Sequence, residues 1–439
     1  MEPSPPLLLL PSANGEFPRF YSLAKKKVIT LERKREDDDG DAQFVGSSHG
    51  WIALFESCSE RIILWNPFPA TGEKTQLKLP RVTTVVDLPY SSKMVSKLIL
   101  SSSPEVETCR ALMIAGPGQT LLFISPATSL AWTPLGNLLV SSDTDSEESP
   151  CPYTNCDINF SNSHEDVVYS EVKKEFYTIK RCTFQLEEED TLTCVVDVDV
   201  WAWDLFPEGA VDECDWEAQV QAEEAEPAAQ ECYYYHHRNR SDKEEGKTLR
   251  WVTDNKSMLK DQCVQIPHIV VFGEETYIAL QFVQLMKSKN NEAVDQVPMC
   301  PYRGLAGYFH SKTCGFIVFK VNTTTDTEEE EGNMEIVEDL GGLAMFVGLN
   351  NSIAVRASNF GDGLINDSIY FADSKRIKRI YGRMDNGCFD YLNKKLTHFA
   401  IDEEEVGGGK SDYYYEDKLK SSPIWFVPAA SASGSAVII

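Results

Sequence analysis

The chain has 439 residues, of which 42% are hydrophobic and 10% aromatic; this excludes a wholly disordered protein and allows a large core. Its formal net charge of −27 argues against nucleic acid and anionic membrane surfaces as partners, and it favours solubility and basic partners. No secretory signal or membrane-spanning helix is expected, because no basic residue precedes the apolar run Leu7–Leu10 and no stretch approaches the roughly 18 apolar residues of a spanning helix.

Short strand-like runs recur along the whole chain, and turn-forming residues end most of them. No long segment repeats at i, i+3, i+4 and i+7, so the sequence predicts an all-β protein. In chain order the predicted strands are Val28–Leu31, Phe44–Gly46, Trp51–Phe55, Ile62–Trp65, Ala111–Ile114, Leu121–Ile124, Ala131–Trp132, Val167–Tyr169, Glu175–Ile179, Ile269–Phe272, Tyr277–Leu280, Gly315–Phe319, Ala344–Gly348, Ser352–Ser358, Ser368–Asp373 and Leu396–Ala400.

The strands group into loosely similar units. Units of about 40 to 60 residues are typical of a β-propeller, in which each blade is a small antiparallel sheet. We predict about six to seven four-stranded blades, with a pair of two-sheet sandwiches as the structural alternative. The predicted domains are a Pro-rich segment at 1–18, the propeller at 19–428 and a tail at 429–439.

Several polar segments interrupt this pattern. Residues 207–250 are rich in acidic side chains and are predicted to be a disordered insertion. Residues 141–150, 323–331 and 402–410 are predicted to be solvated loops or a flexible connection. We expect no chemistry in any of these segments.

One motif suggests a nucleophilic serine. Residues Gly46 to Gly50 spell G-x-S-x-G, which in a nucleophile elbow lies between a strand and a helix. Here Trp51–Phe55 follows and is predicted to be a strand. The favoured interpretation is a tight turn in which Ser47, Ser48 and His49 bond local backbone, and a hydrolase centred on Ser48 is the least favoured function.

Metal and phosphate sites are not supported by the spacing of the residues that could form them. Cys151 and Cys156 are one close pair, whereas a structural zinc site usually needs two. The 12 cysteines are interpreted as reduced thiols of a cytoplasmic or nuclear protein. We therefore predict no catalytic, cofactor-binding or metal-binding residue. The spacing also fails for the other possible metal ligands Cys182, Cys194, Cys300, Cys314 and His236-His237, for a calcium loop at the acidic turn 37–41, and for a phosphate loop at the Gly-Pro-Gly of 116–118. A basic cluster is too short to predict nuclear targeting or nucleic-acid binding; it consists of Lys25–Lys27 with Arg33, Lys34 and Arg35.

A set of short sequence motifs nevertheless resembles those of a known family. They are Arg19–Leu23, Gly46–Trp51, Leu64–Pro67, Leu77–Pro80, Val95–Leu100, Leu340–Asp373 and Pro423–Pro428. Together they are similar to the plant F-box-associated KIB-type β-propeller proteins. Within Leu340–Asp373, residues Asn350, Asn351, Asn366 and Asp367 are interpreted as turn residues rather than ligands.

The resemblance implies a propeller that serves as a protein-binding platform. Many members carry an N-terminal F-box that docks onto the Skp1 adaptor of a cullin ubiquitin ligase, and the propeller then holds the substrate. The 18 residues before Arg19 are too few for the F-box helices. The expected function is a non-enzymatic interaction platform with an unidentified protein partner; the alternative is a substrate receptor whose F-box is lost or missing from the gene model, with ubiquitin-ligase components as partners.

Overall fold

The computed structural model of the chain describes residues 5–10, 18–31, 42–56, 58–69, 74–82, 95–116, 120–135, 164–189, 191–203, 205, 245–253, 263–287, 292–293, 309–322, 332–372, 385–399 and 422–428. Within these ranges the regular structure consists of β-strands and one 3₁₀-helix. No helix in the described part of the chain is long and apolar enough to span a membrane.

Blades 1, 2 and 3 are separate four-stranded antiparallel sheets. Blade 1 joins the two ends of the chain, because its order is β26-β1-β2-β3. Its strands are β1 (Leu7–Leu10), β2 (Arg19–Ser22), β3 (Lys27–Thr30) and β26 (Ile424–Phe426). Blade 2 contains β4 (Ala42–Ser48), β5 (Trp51–Glu56), β6 (Arg61–Trp65) and β7 (Gln76–Arg81). Blade 3 contains β8 (Val95–Leu100), β9 (Ala111–Ala115), β10 (Thr120–Ile124) and β11 (Thr133–Leu135).

Blades 4, 5 and 6 are connected by two parallel strand pairings: Leu249-Arg250 with Gly332-Asn333, and Val271 with Ile353. Blade 4 contains β12 (Asp166–Ser170), β13 (Glu175–Glu189), β14 (Thr191–Trp203) and β15 (Glu245–Thr253). Blade 5 contains β16 (Cys263–Phe272), β17 (Glu275–Lys287), β19 (Phe309–Asn322) and β20 (Gly332–Ile336), with the short β18 (Glu292–Ala293) beside β17. Blade 6 contains β21 (Leu343–Val347), β22 (Ile353–Arg356), the 3₁₀-helix (Ala357–Gly363), β23 (Ser368–Phe371), β24 (Gly387–Asp390) and β25 (Lys395–His398).

Six apolar cores lie between neighbouring blades, and together they close the ring. Strand β1 shows how the pattern arises, because successive side chains of a strand point to opposite faces. Leu7 and Leu9 pack into the core shared with blade 2, and Leu8 and Leu10 into the core shared with blade 6. The other four cores join blades 2 and 3, 3 and 4, 4 and 5, and 5 and 6. The β-propeller prediction is confirmed, and the sandwich alternative is wrong because each blade packs on two neighbours.

Strands in the middle of a blade are paired on both sides and packed on both faces, which explains their uninterrupted apolar runs. All six residues of β5 are buried, whereas β25 at the edge of blade 6 is mostly exposed. The same argument accounts for Leu7–Leu10, a strand inside the segment 1–18 that was expected to precede the propeller. The acidic segment predicted at 207–250 extends too far, because Glu245–Thr253 pairs with β14 as β15. Residues 206–244 lie outside the described residues.

The strand of each blade that lies nearest the axis of the ring is here called its inner strand. The inner strands β4, β8, β12 and β16 run in one direction, so the connections that follow them lie at one end of the ring. We call this end the turn face. In the described chain it includes the connections His49-Gly50, Ser101–Arg110, Glu171–Lys174 and Gly273-Glu274, which follow β4, β8, β12 and β16. Third-to-fourth strand connections lie at the same end, as the hydrogen bond from the Lys74 amide to the Glu105 carboxylate at 3.2 Å confirms.

Candidate functional site: the propeller axis and the turn face

The G-x-S-x-G motif is a β-hairpin turn. Ser48 pairs with Trp51, and the two residues between them, His49 and Gly50, have φ of 51° and 80°. Positive φ at both positions is the signature of a type I′ turn. Strand β5 follows directly, so the helix that a nucleophile elbow requires is replaced by a strand.

The polar side chains of this turn bond the backbone of neighbouring blades. Ser47 Oγ donates to the Trp425 carbonyl of blade 1. Ser48 Oγ accepts from the Leu100 amide at 2.9 Å, and His49 Nε2 lies 3.1 Å from the Leu100 carbonyl oxygen of blade 3. The expectation that these side chains bond local backbone is therefore wrong, because the turn lies between two blades. Burial lowers the pKa of His49, although Glu171 opposes the shift.

Gly46 is required by the same contact between blades. A Cβ at this position would lie 1.9 Å from the carbonyl oxygen of Leu98. The strand also carries a register shift between Phe44 and Gly46, at the point of this contact. The first glycine of the motif therefore allows blades 2 and 3 to pack closely.

The segment Gly348–Ser352 crosses the axis of the ring and bonds three other blades. Lys97 Nζ donates to the Gly348 carbonyl at 3.3 Å, and the Asn351 amide donates to the Ser47 carbonyl at 2.9 Å. The Asn351 side-chain oxygen accepts from the Tyr169 amide at 3.2 Å. The interpretation of Asn351 as a turn residue was therefore too narrow, because its backbone and side chain connect blades 2 and 4 to blade 6.

Asp367 does have the predicted turn role. It has a φ of 51°, and its Oδ1 accepts from the amides of Leu340 and Gly342, each at 2.9 Å. Asn350 is buried and donates to the Phe346 and Asn351 carbonyls at 3.2 and 2.8 Å. Both residues hold the backbone of blade 6 in place.

A buried ion pair lies beside the axis. Lys97 Nζ of β8 is 2.7 Å from Asp166 Oδ1 of β12, and the side chains are 3% and 1% exposed. Asp166 Oδ2 also accepts from the Ile269 amide of β16 at 3.0 Å. One carboxylate therefore joins blades 3, 4 and 5, and its buried charge is compensated by a cation and a backbone donor.

A second series of polar side chains leads from this carboxylate to the edge of blade 6. His268 Nδ1 lies 4.0 Å from Asp166 Oδ2, and its Nε2 lies 2.9 Å from Gln281 Oε1. Gln281 Nε2 donates to Thr313 Oγ1 at 2.7 Å. Because Gln281 Oε1 can only accept, His268 carries a proton on Nε2.

The series ends at a carboxylate that anchors β24 to blade 5. Thr313 donates to Asp385 Oδ2 through its amide at 2.7 Å and its hydroxyl at 2.6 Å. His398 Nδ1 lies 3.4 Å from Asp385 Oδ1. These bonds connect the edge of blade 6 to the interior of blade 5, so the series acts as a structural brace.

The described residues contain no group of three or more side chains that could hold a metal ion. Cys58, Cys109, Cys314 and Cys388 are free thiols. Cys151, Cys156, Cys300, His236-His237 and the acidic turn 37–41 lie outside the described residues, as do Pro117 and Gly118. Cys182 and Cys194 occupy β13 and β14, where Cys182 pairs with Val198 and Cys194 with Leu186.

Comparison with known proteins places this geometry in a family. Residues 20–390 match the family model described as KIB1-4 beta-propeller. The chain belongs to the KIB1-4 β-propeller family. None of the curated proteins compared with it matches. Among solved structures, the β-propeller domain of Cps50 (Swd1) from Myceliophteria thermophila is 9% identical, with 67% of this chain and 90% of that chain covered and a TM-score of 0.26.

The family match begins in β2 and ends with β24. It therefore includes the axis segment, the Lys97–Asp166 pair and the hairpin of the G-x-S-x-G motif. Strands β1 and β26 lie outside the matched residues, although both are fully buried and complete blade 1.

The turn face of this family member carries the large apolar side chains that are exposed in the described part of the chain. Leu130 is 76% exposed and follows β10, while Leu392 is 54% exposed and follows β24. Scattered exposed aliphatics are ordinary on a protein surface, but their restriction to one end is informative. The full set is Val106, Leu130, Val172, Ile365, Leu392 and Val427. The turn face is therefore the candidate interaction surface, and the sequence missed it because single aliphatic residues in turns give no periodic signal.

Proposed function

We propose that the protein is a non-enzymatic interaction platform whose propeller binds a protein partner through the turn face. The observation that carries this proposal is the placement of all six exposed large apolar side chains of the described residues at that end. Membership of a β-propeller family supports it as well. Rigid scaffolds commonly present binding residues on the connections between their strands.

The scaffold suits this role because its inner strands are tied together. Six inter-blade cores and the Lys97–Asp166 pair fix the relative positions of the blades. The turns that follow the inner strands are fixed by hydrogen bonds of their own; for example, the Lys174 amide donates to the Ser170 carbonyl at 2.8 Å. A fixed surface loses little conformational entropy when a partner binds.

The test is affinity purification of the tagged protein from its source cells, comparing three forms. The face variant replaces five exposed apolar side chains of the turn face with serine. The control variant Cys58→Ser changes an exposed residue at the opposite end of the ring. We expect partners of the wild type to be retained by the control and lost by the face variant. Identical partner sets for all three forms would refute the proposal. The face variant combines Val106→Ser, Leu130→Ser, Val172→Ser, Ile365→Ser and Leu392→Ser.

A role as substrate receptor in a Skp1-cullin-F-box ubiquitin ligase is the second candidate, and the resemblance of segments such as Leu64–Pro67 to F-box-associated propeller proteins favours it. It predicts that Skp1 and a cullin are recovered with the wild-type protein. Recovery of other partners without either component would leave the platform function and exclude the ligase function. We place the protein in the cytoplasm or nucleus as part of the same proposal, and fluorescence microscopy of a tagged form tests this.

A further inference from the structure

Three connections of blades 1 and 6 meet on the turn face. The 3₁₀-helix of blade 6 touches the turn between β2 and β3, because a Cβ on Gly363 would lie 3.7 Å from both the Ala24 Cβ and the Pro5 Cγ. The Tyr391 amide donates to the Asp367 carbonyl at 2.8 Å, which brings the turn between β24 and β25 to the start of β23. We call the surface of these connections, residues 23–27, 361–367 and 391–395, the blade 1–6 patch.

Two aliphatic side chains stand out of this patch. Ile365 is 50% exposed and Leu392 is 54% exposed, and they flank the bond between Asp367 and Tyr391. Beneath them, Leu23 and Leu364 are buried in the core between the two blades. The exposed side chains therefore rest on a packed base.

The backbone that carries Ile365 is fixed from both sides. Its amide donates to the Tyr370 hydroxyl at 2.9 Å, and its carbonyl accepts from Ser368 Oγ at 2.5 Å. The carboxylate of Asp367 is bonded to two amides of the connection before β21. Ile365 is consequently held in place before any partner arrives, which favours binding.

The patch has the opposite charge to the protein as a whole. Within its three ranges it has five lysines, all exposed, against Asp362 and the buried Asp367. The exposed Glu338 and Asp339 lie outside these ranges, on the connection that Asp367 bonds. Asp390 at its margin accepts from the Asn393 amide and side chain at 3.0 and 2.8 Å. The chain as a whole carries a net charge of −27. The lysines are Lys25, Lys26, Lys27, Lys394 and Lys395.

We propose that the blade 1–6 patch binds an acidic peptide segment of a partner protein, with apolar side chains of that segment packed on Ile365 and Leu392. The inference deepens the proposed platform function and rests on it. Complementary charge speeds association and selects partners, and buried apolar contact supplies affinity. A short acidic peptide fits better than a nucleic acid or an anionic membrane, because those larger polyanions would also meet the strongly acidic remainder of the protein.

The probe is a fluorescein-labelled 12-residue peptide with three repeats of Glu-Glu-Leu-Phe, and binding to the full-length protein is measured by fluorescence anisotropy. Lys25→Glu/Lys395→Glu reverses two of the five positive charges, and Ile365→Ser/Leu392→Ser removes the apolar contact. The matched control Lys173→Glu/Leu130→Ser makes the same kinds of change on blades 3 and 4 of the turn face. Circular dichroism and thermal unfolding verify that each variant is folded.

We expect each patch variant to weaken peptide binding at least about tenfold and the control to change it less than about twofold. Binding of the wild type should weaken as salt concentration rises. Equal binding by patch and control variants, absence of binding by the wild type, or equal binding of a peptide with Lys in place of Glu would each overturn the proposal. Saturable binding of phosphatidylserine vesicles or a single-stranded RNA through the same residues would assign the patch to another class of partner and overturn it too.

Repeating the purification with both patch variants and with Lys173→Glu/Leu130→Ser separates the two proposals. A partner that is lost from the face variant but kept by both patch variants leaves the platform standing and removes the blade 1–6 patch as its site. Partners that are unaffected by the face variant remove the platform itself.

Discussion

Lys97 and Asp166 form an ion pair at 2.7 Å between the inner strands of blades 3 and 4, and both side chains are almost completely buried. Lys97 also reaches the carbonyl of Gly348 on the axis, while Asp166 accepts from the backbone of blade 5. Four of the six blades therefore meet at two side chains. A buried charge left alone is costly, so the two residues depend on each other.

Replacing Lys97 by methionine should destabilise the protein by about 3–5 kcal/mol, because the charge of Asp166 would stay buried without its cation. The change is measured as a loss in the free energy of unfolding in urea. The double variant Lys97→Met/Asp166→Asn is the control. It keeps an acceptor for the Ile269 amide but removes the charge, so it should recover part of the loss. A single variant as stable as the wild type would contradict the assigned role.

Replacing Gly46 by alanine should cost about 3 kcal/mol, because the added Cβ would meet the Leu98 carbonyl oxygen at 1.9 Å and backbone cannot move aside easily. Gly315→Ala is the matched control in another strand, since its Cβ would meet only Phe389 side-chain atoms at 3.8 Å. Its stability should change by less than about 1 kcal/mol. Thermal unfolding of both variants tests the difference, and equal effects would count against a packing role for Gly46.

The strands were predictable from sequence because the information is local. Trp51–Phe55 is a buried apolar run between turn formers, and the structure has it as β5. Lys97 could not be predicted to be buried, because its partner lies 69 residues away and a lysine in a strand usually faces solvent. Strand β15 was not predicted, because it adjoins an acidic segment whose composition is typical of unstructured chain.

In the candidate functional site, too, local features were predictable from sequence and contacts between blades were not. The turn at His49-Gly50 was predictable because glycine favours positive φ. Its bonds to Leu100 and Trp425 depend on how blades pack, which no local pattern encodes. Ile365 and Leu392 were equally invisible in sequence, because their proximity results from the contact between Asp367 and Tyr391.

His49 should make the protein less stable in mildly acidic solution. Burial lowers its pKa in the folded state, so the unfolded chain binds more protons as the pH falls through the unfolded pKa of about 6.5. Stability is then full above that pH and declines below it. His49→Asn keeps a residue that tolerates positive φ but removes the titration. The wild type should lose stability relative to this variant between pH 7 and pH 5; a parallel response of both would contradict the assignment.

Serine-directed chemistry should leave the folded protein unmodified. The Ser48 hydroxyl accepts from the Leu100 amide, and the Ser47 hydroxyl donates to the Trp425 carbonyl, so both are engaged in contacts between blades. A fluorophosphonate probe followed by intact-mass spectrometry tests this, with an active serine hydrolase in the same tube as a positive control. Stoichiometric labelling of Ser48 would revive the hydrolase function.

Thiol reactivity should separate Cys388 from Cys58. Burial raises the pKa of Cys388 to about 11, so at pH 8 only about one thiol in a thousand is in the reactive thiolate form, and the surrounding core also blocks access. Cys58 is exposed on the connection between β5 and β6. Iodoacetamide at pH 8 should therefore modify Cys58 in the folded protein and reach Cys388 only after unfolding in urea, as peptide mass mapping would show. Equal rates at both positions in the folded protein would mean that the edge of blade 6 opens readily, which contradicts the brace formed by Thr313 and Asp385.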